Sequence, residues 1–267
     1  MTRQYKAPRG TLDILPQDQP YWDRVYQAAA RVCALFGYQR IETPVFEDAA
    51  LFTRGVGEVT DIIQKEMYVF QDRGGQELAL RPEGTAPVCR AYLEHGMHNQ
   101  PQPVRLWYWC PIFRYDRPQA GRYRQHTQLG CEAIGEADAA VDAEVIELLF
   151  RLYEELGLQG LTLHLNSIGD GDCRPAYLQA LRAYYADKLK QVCNDCEGRY
   201  ERNPLRLLDC KQERCQPAIA GTPPFSEHLC DACAGHFLRL RSYLEETGIA
   251  YVINPRLVRG LDYYTRT

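Results

Sequence analysis

Polar side chains alternate along residues 123–134 in a pattern that suits the binding of a charged ligand. If this segment is a β-strand, its period of two places every second residue on one face. That face is too polar for a protein core, and Gly130 on it leaves space for a ligand against the backbone. We therefore expect a binding face; the alternative is a solvated sheet face with incidental charges. Its members are Arg122, Arg124, His126, Gln128, Gly130 and Glu132.

Cysteines cluster in the C-terminal third of the chain, where their spacing favours a structural zinc site. Six of the eleven form the pairs Cys193-x2-Cys196, Cys210-x4-Cys215 and Cys230-x2-Cys233. Because two C-x-x-C pairs supply the four thiolates of a tetrahedral zinc site, the first and third pairs are the predicted ligands. The alternative is a set of reduced cysteines packed as small hydrophobic residues. His228 and His236 are further ligand candidates, whereas Cys210 and Cys215 have no assigned role.

The remaining cysteines, and the composition as a whole, are typical of a globular protein from a reducing compartment. The chain has 267 residues, of which 45% are hydrophobic and 25% charged, and its net charge is −4. No stretch approaches the roughly 18 apolar residues that span a bilayer, and no export signal is evident, so we expect a cytoplasmic protein. The negative charge argues against a protein that coats nucleic acid over its whole surface. The scattered cysteines that we interpret as packed are Cys33, Cys89, Cys110, Cys131 and Cys173.

Hydrophobic periodicity predicts the elements that position these residues. A hairpin is expected at 66–80 around a polar, Gly-rich turn, and long strands at 104–115 and 123–134 are expected to pair antiparallel because a short loop joins them. Leu129, Cys131 and Ala133 lie on the packing face of the second strand. Helices are predicted at 19–37, 83–96, 138–157, 172–192 and 226–248, and further strands at 38–47, 161–167 and 250–255.

This order predicts an α+β fold with a mainly antiparallel sheet flanked by helices and interrupted by a helical, Cys-rich insertion. The expected organisation is a catalytic core at 1–171, the insertion at 172–248 and a return to the core at 249–267. The chain ends within strand-like sequence, so we also expect it to be a truncated piece.

Three motifs in order along the chain resemble the histidyl-tRNA synthetase family of class II aminoacyl-tRNA synthetases. FRYDRPQAGRYRQ, which contains Arg114, is similar to the strand-loop-strand signature of the class. LRPEGTAP at 80–87 resembles the amino-acid-binding turn, and RGLDYYTRT at 259–267 resembles the histidine-specific signature. PRGTLDILP and IETPVFE extend the likeness towards the N-terminus. The resemblance implies activation of L-histidine by ATP with Mg2+, and its transfer to tRNA(His), by a cytoplasmic homodimer.

The resemblance also implies which residues bind ATP. Joining the histidine carboxylate to the α-phosphate requires no general base, because the carboxylate is already ionised; it requires alignment and positive charge. Arg114 and Arg259 are the matching catalytic positions on opposite sides of the α-phosphate, and their planar guanidinium groups suit phosphate oxygens. Arg122 and Asp116 match positions in the loop that contacts the outer phosphates; Asp116 stands where the family normally has Glu.

The amino acid is expected to be held at both ends. Glu83, Thr85 and Gln128 match the positions that receive the α-ammonium group, and Gly84 is a further histidine-binding position in the same turn. Glu132 and Tyr264 match the partners of the two imidazole nitrogens, and such buried partners reject side chains that cannot pair with them. Tyr263 flanks this site beside Asp262, with core packing as its alternative role.

The strand-helix signature that holds adenine, and the anticodon-binding domain, are absent from the 267 residues. A different function of the same fold is a non-catalytic, histidine-sensing regulatory paralogue of the ATP phosphoribosyltransferase complex. A third possible function is that of a zinc-stabilised RNA-binding module, which only the cysteines support.

Overall fold

The computed structural model of the chain describes residues 5–56, 66–258 and 264–267 and confirms the predicted α+β class. Its contacts divide the chain into two compact units, Met1–Ala137 with Glu144–Gln159 and Asp138–Ala143 with Gly160–Thr267. The domain boundaries predicted at 171 and 249 stay predictions. Among the described residues, no helix is both long and apolar enough to cross a membrane.

The first unit contains two three-stranded sheets with helices. Its elements are α1 (Gln19–Leu35), β1 (Gln39–Arg40), β2 (Phe46–Asp48), α2 (Ala49–Val56), β3 (Tyr68–Gln71), β4 (Glu77–Leu80), α3 (Thr85–Glu94), β5 (Val104–Phe113), β6 (Gln125–Ile134) and most of α4 (Ala139–Glu155), with a 3-10 turn at Met97–Asn99. One sheet has the order β1-β5-β6, with β1 parallel to β5. The other, β2-β4-β3, is antiparallel and contains the predicted hairpin.

The antiparallel pair β5-β6 is the framework of the predicted binding face. It runs in register from Val104 opposite Ile134 to Phe113 opposite Gln125. One of its faces carries Trp107, Leu129 and Cys131, which pack on α1 and α4 as their alternation predicts. The other face carries Leu106, Tyr108 and Cys110, which pack with Val88 of α3. The predicted binding face is therefore half-buried from His126 to Glu132, which argues against a merely solvated sheet surface.

Arg81, at the end of β4, is a buried cation that anchors three chain segments. Its side chain is only 2% exposed. Its Nε donates to the carbonyl oxygen of Pro111 at 2.8 Å, and its Nη1 donates to those of Thr43 and Pro44 at 2.8 and 3.1 Å. Main-chain carbonyls thus take the place of an acidic partner, and the turn that follows β4 is held against β5.

The second unit is mainly helical and carries the cysteine pairs. Its elements besides the start of α4 are β7 (Leu163–Leu165), α5 (Arg174–Tyr185), α6 (Asn194–Arg202), α7 (Gln216–Ala220), α8 (Asp231–Glu246) and β8 (Tyr251–Ile253), with 3-10 turns at Leu189–Gln191, Pro204–Leu207, Glu213–Cys215 and Phe225–His228. β7 and β8 pair in parallel, from Leu163 opposite Tyr251 to Leu165 opposite Ile253. Parallel neighbours need a long crossover, which the helices between them provide.

The helices of this unit are shorter than their sequence patterns predict. The helix expected to reach residue 192 ends at Tyr185 and is followed by a separate 3-10 turn. The helix expected from residue 226 begins at Asp231, because Leu229 and Cys230 are extended. The pair Cys193 and Cys196 lies at the start of α6, and the pair Cys230 and Cys233 lies at the start of α8. The 3.6-residue period alone does not reveal these helix starts.

Candidate functional site

A cluster of carboxylate and hydroxyl groups lies between the start of α3 and the strands β5 and β6. The hydroxyl of Thr85 donates to Oε1 of Glu132 at 2.7 Å, and the hydroxyl of Tyr108 donates to the same oxygen at 3.2 Å. The amide nitrogen of Gln128 lies 3.4 Å from the Tyr108 hydroxyl. The structure thus brings together Thr85, Gln128 and Glu132, which the sequence assigned to a single ligand.

Glu83 is the buried carboxylate of this cluster and is held by the backbone of α3. It is 5% exposed, and its oxygens accept the backbone N–H groups of Thr85 at 3.2 Å and Ala86 at 2.7 Å. Gly84 is the residue that precedes the helix. Burial raises the pKa of Glu83, while the two N–H groups and the charge of Arg114 offset part of that increase. The local sequence EGTA therefore fixes a carboxylate at a helix N-terminus.

Glu132 has one oxygen left for a ligand. Both of its hydroxyl partners donate to Oε1, and no donor in the described part of the chain reaches Oε2. Burial raises its pKa, its hydroxyl partners lower it, and the neighbouring charge of Glu83 raises it further. A buried and a half-buried carboxylate whose charges affect each other favour a cationic or N–H-donating ligand.

The space predicted above Gly130 is filled, which corrects that expectation. A Cβ atom added at Gly130 or at Gly84 would overlap the ring of Tyr108. The two glycines therefore admit the Tyr108 ring. Sequence reasoning missed Tyr108, although its position opposite Gly130 in the hairpin register signals it.

Arginines lie at the end of β5 and in the loop to β6. Arg114 donates from Nε to the carbonyl of Pro82 at 2.8 Å, and its terminal nitrogens make no hydrogen bond to any described residue. Burial and the charge of Arg114 lower the pKa of His126. Arg122 is exposed and pairs with Asp116 at 3.1 Å, so these two loop residues neutralise each other. Arg124 stacks on the ring of Tyr115, with its guanidinium carbon 3.8 Å from the ring centroid.

The structure corrects the predicted grouping of the cysteines. Cys193 and Cys196 lie with Cys210 and Cys215, whereas Cys230 and Cys233 lie with Asp170 and Cys173, and within each group the ligand atoms are at most 4.8 Å apart. The four predicted ligands thus fall into two groups, because each C-x-x-C pair meets a different loop. Cys173 is a member of a cluster, not a scattered packed residue.

The two candidate histidine ligands lie elsewhere in the same unit. Nε2 of His236 is 3.4 Å from a carboxylate oxygen of Asp142, and the ring of His228 packs against Tyr177 with centroids 5.4 Å apart.

Comparison with known proteins places the chain in a family. Residues 10–266 match the family described as Histidyl-tRNA synthetase. The chain belongs to the histidyl-tRNA synthetase family. The curated Histidine–tRNA ligase of Dehalococcoides mccartyi is 60% identical over 98% of this chain and 63% of its own length. That of Desulforudis audaxviator is 55% identical over 97% of this chain and 62% of its own length.

Solved structures agree with this assignment. Apo histidyl-tRNA synthetase of S. aureus matches with a TM-score of 0.76 and 38% identity over 98% of this chain and 60% of the other. The class II aminoacyl-tRNA synthetase-like fold is thereby confirmed. The chain spans about 63% of the length of the first curated relatives of the histidyl-tRNA synthetase family.

Some positions that match the histidyl-tRNA synthetase motifs are not described by the structure. Arg259, Asp262 and Tyr263 lie outside the described residues, so their roles stay predictions. Tyr264 is described, in the second unit, where its main-chain carbonyl accepts a hydrogen bond from the guanidinium group of Arg174. Its predicted role towards the imidazole of histidine also stays a prediction.

Glu132 is expected to make the stability of this histidyl-tRNA synthetase chain depend on pH. Its pKa is raised in the folded state, so its contribution to stability is fully present below the unfolded value of about 4.3 and is lost as the pH rises through the folded value. We expect the free energy of unfolding of the ligand-free wild type, minus that of Glu132→Gln, to fall as pH rises above about 4.3. Urea denaturation at a series of pH values checks this; a difference independent of pH contradicts it.

Proposed function

We propose that the protein to which this chain belongs activates histidine with ATP and transfers it to tRNA(His), and that this chain holds the amino acid. The observation that carries the proposal is the pair of desolvated carboxylates, Glu83 and Glu132, surrounded by the hydroxyls of Thr85 and Tyr108. Histidine offers a cationic ammonium group and an N–H-donating ring, which are the groups that such a site binds.

In this proposal the ammonium group binds at the start of α3. Glu83 supplies the charge, Thr85 and Gln128 supply acceptor oxygens, and the backbone at Gly84 closes the turn. Glu83 is already oriented by two backbone N–H groups, so little ordering is needed when the ligand binds.

Glu132 recognises the imidazole, since its Oε2 accepts one ring N–H. The resemblance to the family motif assigns the other ring nitrogen to the phenol of Tyr264 and a flanking role to Tyr263. An amino acid without a donor in its side chain leaves a buried carboxylate oxygen unsatisfied, which is the basis of specificity.

Activation joins the histidine carboxylate to the α-phosphorus of ATP and breaks the bond to the departing pyrophosphate. The chain supplies positive charge and alignment, and no base is needed. Arg114 contacts the α-phosphate and the carboxylate, and the resemblance to the family motif assigns Arg259 a second cationic contact with the α-phosphate. ATP enters with Mg2+, and Arg122 leaves Asp116 to contact its outer phosphates.

The assembly is the remaining part of this proposal. The family relationship supports a cytoplasmic homodimer that binds tRNA(His), and a structural zinc in the cysteine-rich unit is compatible with that function. We favour the ligase over a histidine-sensing regulatory paralogue because the curated relatives at 50–60% identity carry the ligase name. Histidine-dependent exchange between pyrophosphate and ATP separates the two, since a sensor binds histidine without catalysing exchange.

Glu132→Gln is expected to weaken histidine binding with little change in ATP binding. The amide keeps the shape of the side chain but places a donor or a weaker acceptor opposite the imidazole N–H. Loss of one charged hydrogen bond costs about 1–3 kcal/mol, so we expect the Kd for histidine to rise about 5- to 150-fold. Isothermal titration calorimetry measures it.

Glu77→Gln is the matched control, because Glu77 is an exposed glutamate on β4. A Kd for histidine that is unchanged in Glu132→Gln would remove Glu132 from the proposed site.

A further inference from the structure

The first cysteine cluster has the dimensions of a four-thiolate metal site. The sulfur atoms of Cys193 and Cys210 are 3.8 Å apart, and those of Cys196 and Cys215 are 4.0 Å apart. A tetrahedron with zinc–sulfur bonds of about 2.3 Å has its sulfurs about 3.8 Å apart. Three of the four side chains are buried, and no member is disulfide-bonded. The two measured sulfur–sulfur distances therefore match the edge of a tetrahedral zinc site, and the other pairs lie within 4.8 Å.

The second cluster replaces one sulfur with a carboxylate oxygen. Sγ of Cys173 is 3.6 Å from Oδ1 of Asp170, and Sγ of Cys230 is 4.0 Å from the same oxygen. For zinc–oxygen bonds of about 2.1 Å, the corresponding edge of the tetrahedron is about 3.6 Å. Cys233 completes the group. Asp170 and Cys173 have the same three-residue spacing as Cys230 and Cys233, so two short loops form this cluster.

Helix starts place these ligands. Each of α5, α6, α7 and α8 is preceded directly by a cysteine of one cluster. These cap residues are Cys173, Cys193, Cys215 and Cys230. In addition, the backbone N–H of Cys193 donates to the sulfur of Cys215 at 3.2 Å, and that of Asp170 donates to the sulfur of Cys173 at 3.4 Å. Such N–H groups compensate the negative charge of thiolates, as the outer partners of metal-bound sulfurs do.

We propose that this unit binds two zinc ions, one through Cys193, Cys196, Cys210 and Cys215 and the other through Asp170, Cys173, Cys230 and Cys233. Zinc suits both sets, because thiolate-rich tetrahedral sites select zinc or iron–sulfur clusters and the second set contains a carboxylate, which zinc accepts. The second site joins the start of the helical segment to the start of its last helix, α8, and the first site joins residues in its middle.

Metal analysis of the purified full-length protein tests this directly. We expect two equivalents of zinc per chain. Cys210→Ser and Cys173→Ser should each reduce the content to one equivalent, and the double variant should contain none. Cys89→Ser is the control and should keep both, since Cys89 is exposed and belongs to neither cluster. The single site predicted from the sequence pairs would leave both single variants unchanged.

A measurement on the wild-type protein tests the proposal even if the cysteine variants do not fold. Titration of the native protein with a mercurial reagent, with a chromogenic chelator present, should release two zinc ions as seven of the eleven thiols react. One equivalent or less of zinc, or iron in its place, overturns the proposal. Because zinc content is read without substrates, this result is independent of whether the protein activates histidine.

Discussion

Arg114→Ala is expected to slow histidine-dependent pyrophosphate exchange by about 10²–10³-fold, the loss typical for one preorganised donor at a transition state. Arg114 is held through Nε by the carbonyl of Pro82, while its terminal nitrogens make no hydrogen bond to any described residue. The side chain is thus oriented but keeps a charged edge for a ligand. Since the charge acts mainly on the transferring phosphoryl group, kcat should fall more than histidine affinity.

The measurement is made on the protein at the full length of its curated relatives. Arg73→Ala is the control, because Arg73 is exposed in the turn between β3 and β4. Arg114→Lys, which keeps the charge and loses the planar fork, should retain part of the rate. If Arg114→Ala weakens histidine binding as much as it slows exchange, Arg114 holds the substrate and does not stabilise the transition state.

Arg81→Met is expected to lower the free energy of unfolding by about 3 kcal/mol or more. Methionine approximates the length of the aliphatic stem but removes the donors to Thr43, Pro44 and Pro111. A carbonyl that loses its donor where water cannot reach it costs about 1–3 kcal/mol; Thr43 and Pro111 are half-buried, whereas Pro44 is exposed. Urea denaturation of the wild type and the variant gives the difference.

Arg73→Met is the control for this change, since it removes an equal charge from the surface. A loss below about 1 kcal/mol would mean that water or a rearranged backbone satisfies the three carbonyls. In that case Arg81 would act mainly by fixing the position of Glu83, which follows it by two residues, and not by stabilising the fold.

The strands of the site were predictable because their side chains alternate. Leu129, Cys131 and Ala133 pack on the helices as the period of two requires. The ring of Tyr108 at Gly130 was not predictable from this alternation. It depends on which residue of β5 lies opposite Gly130, and that register is set by the loop as well as by the hydrophobic pattern. Arg81 was missed for a similar reason: its acceptors are main-chain carbonyls, which any sequence carries.

The cysteines show a different limit of prediction from sequence. Spacing identified the pairs, since a C-x-x-C unit is a local property of the chain. It did not show which pairs meet, because Cys173 and Cys230 are brought together only by the path of the helices between them. The predicted roles of Arg259 and Tyr263 depend on resemblance alone.

The parallel pairing of β7 with β8 has a consequence for the order of folding. Its partners, Leu163 and Tyr251, are separated by nearly 90 positions, and closing a flexible loop of that length costs about 4 kcal/mol in chain entropy. A ladder of three residue pairs does not offset that cost by itself. We therefore expect the two strands to join after the helical segment between them has collapsed, and this small sheet to be among the last structures of its unit to form.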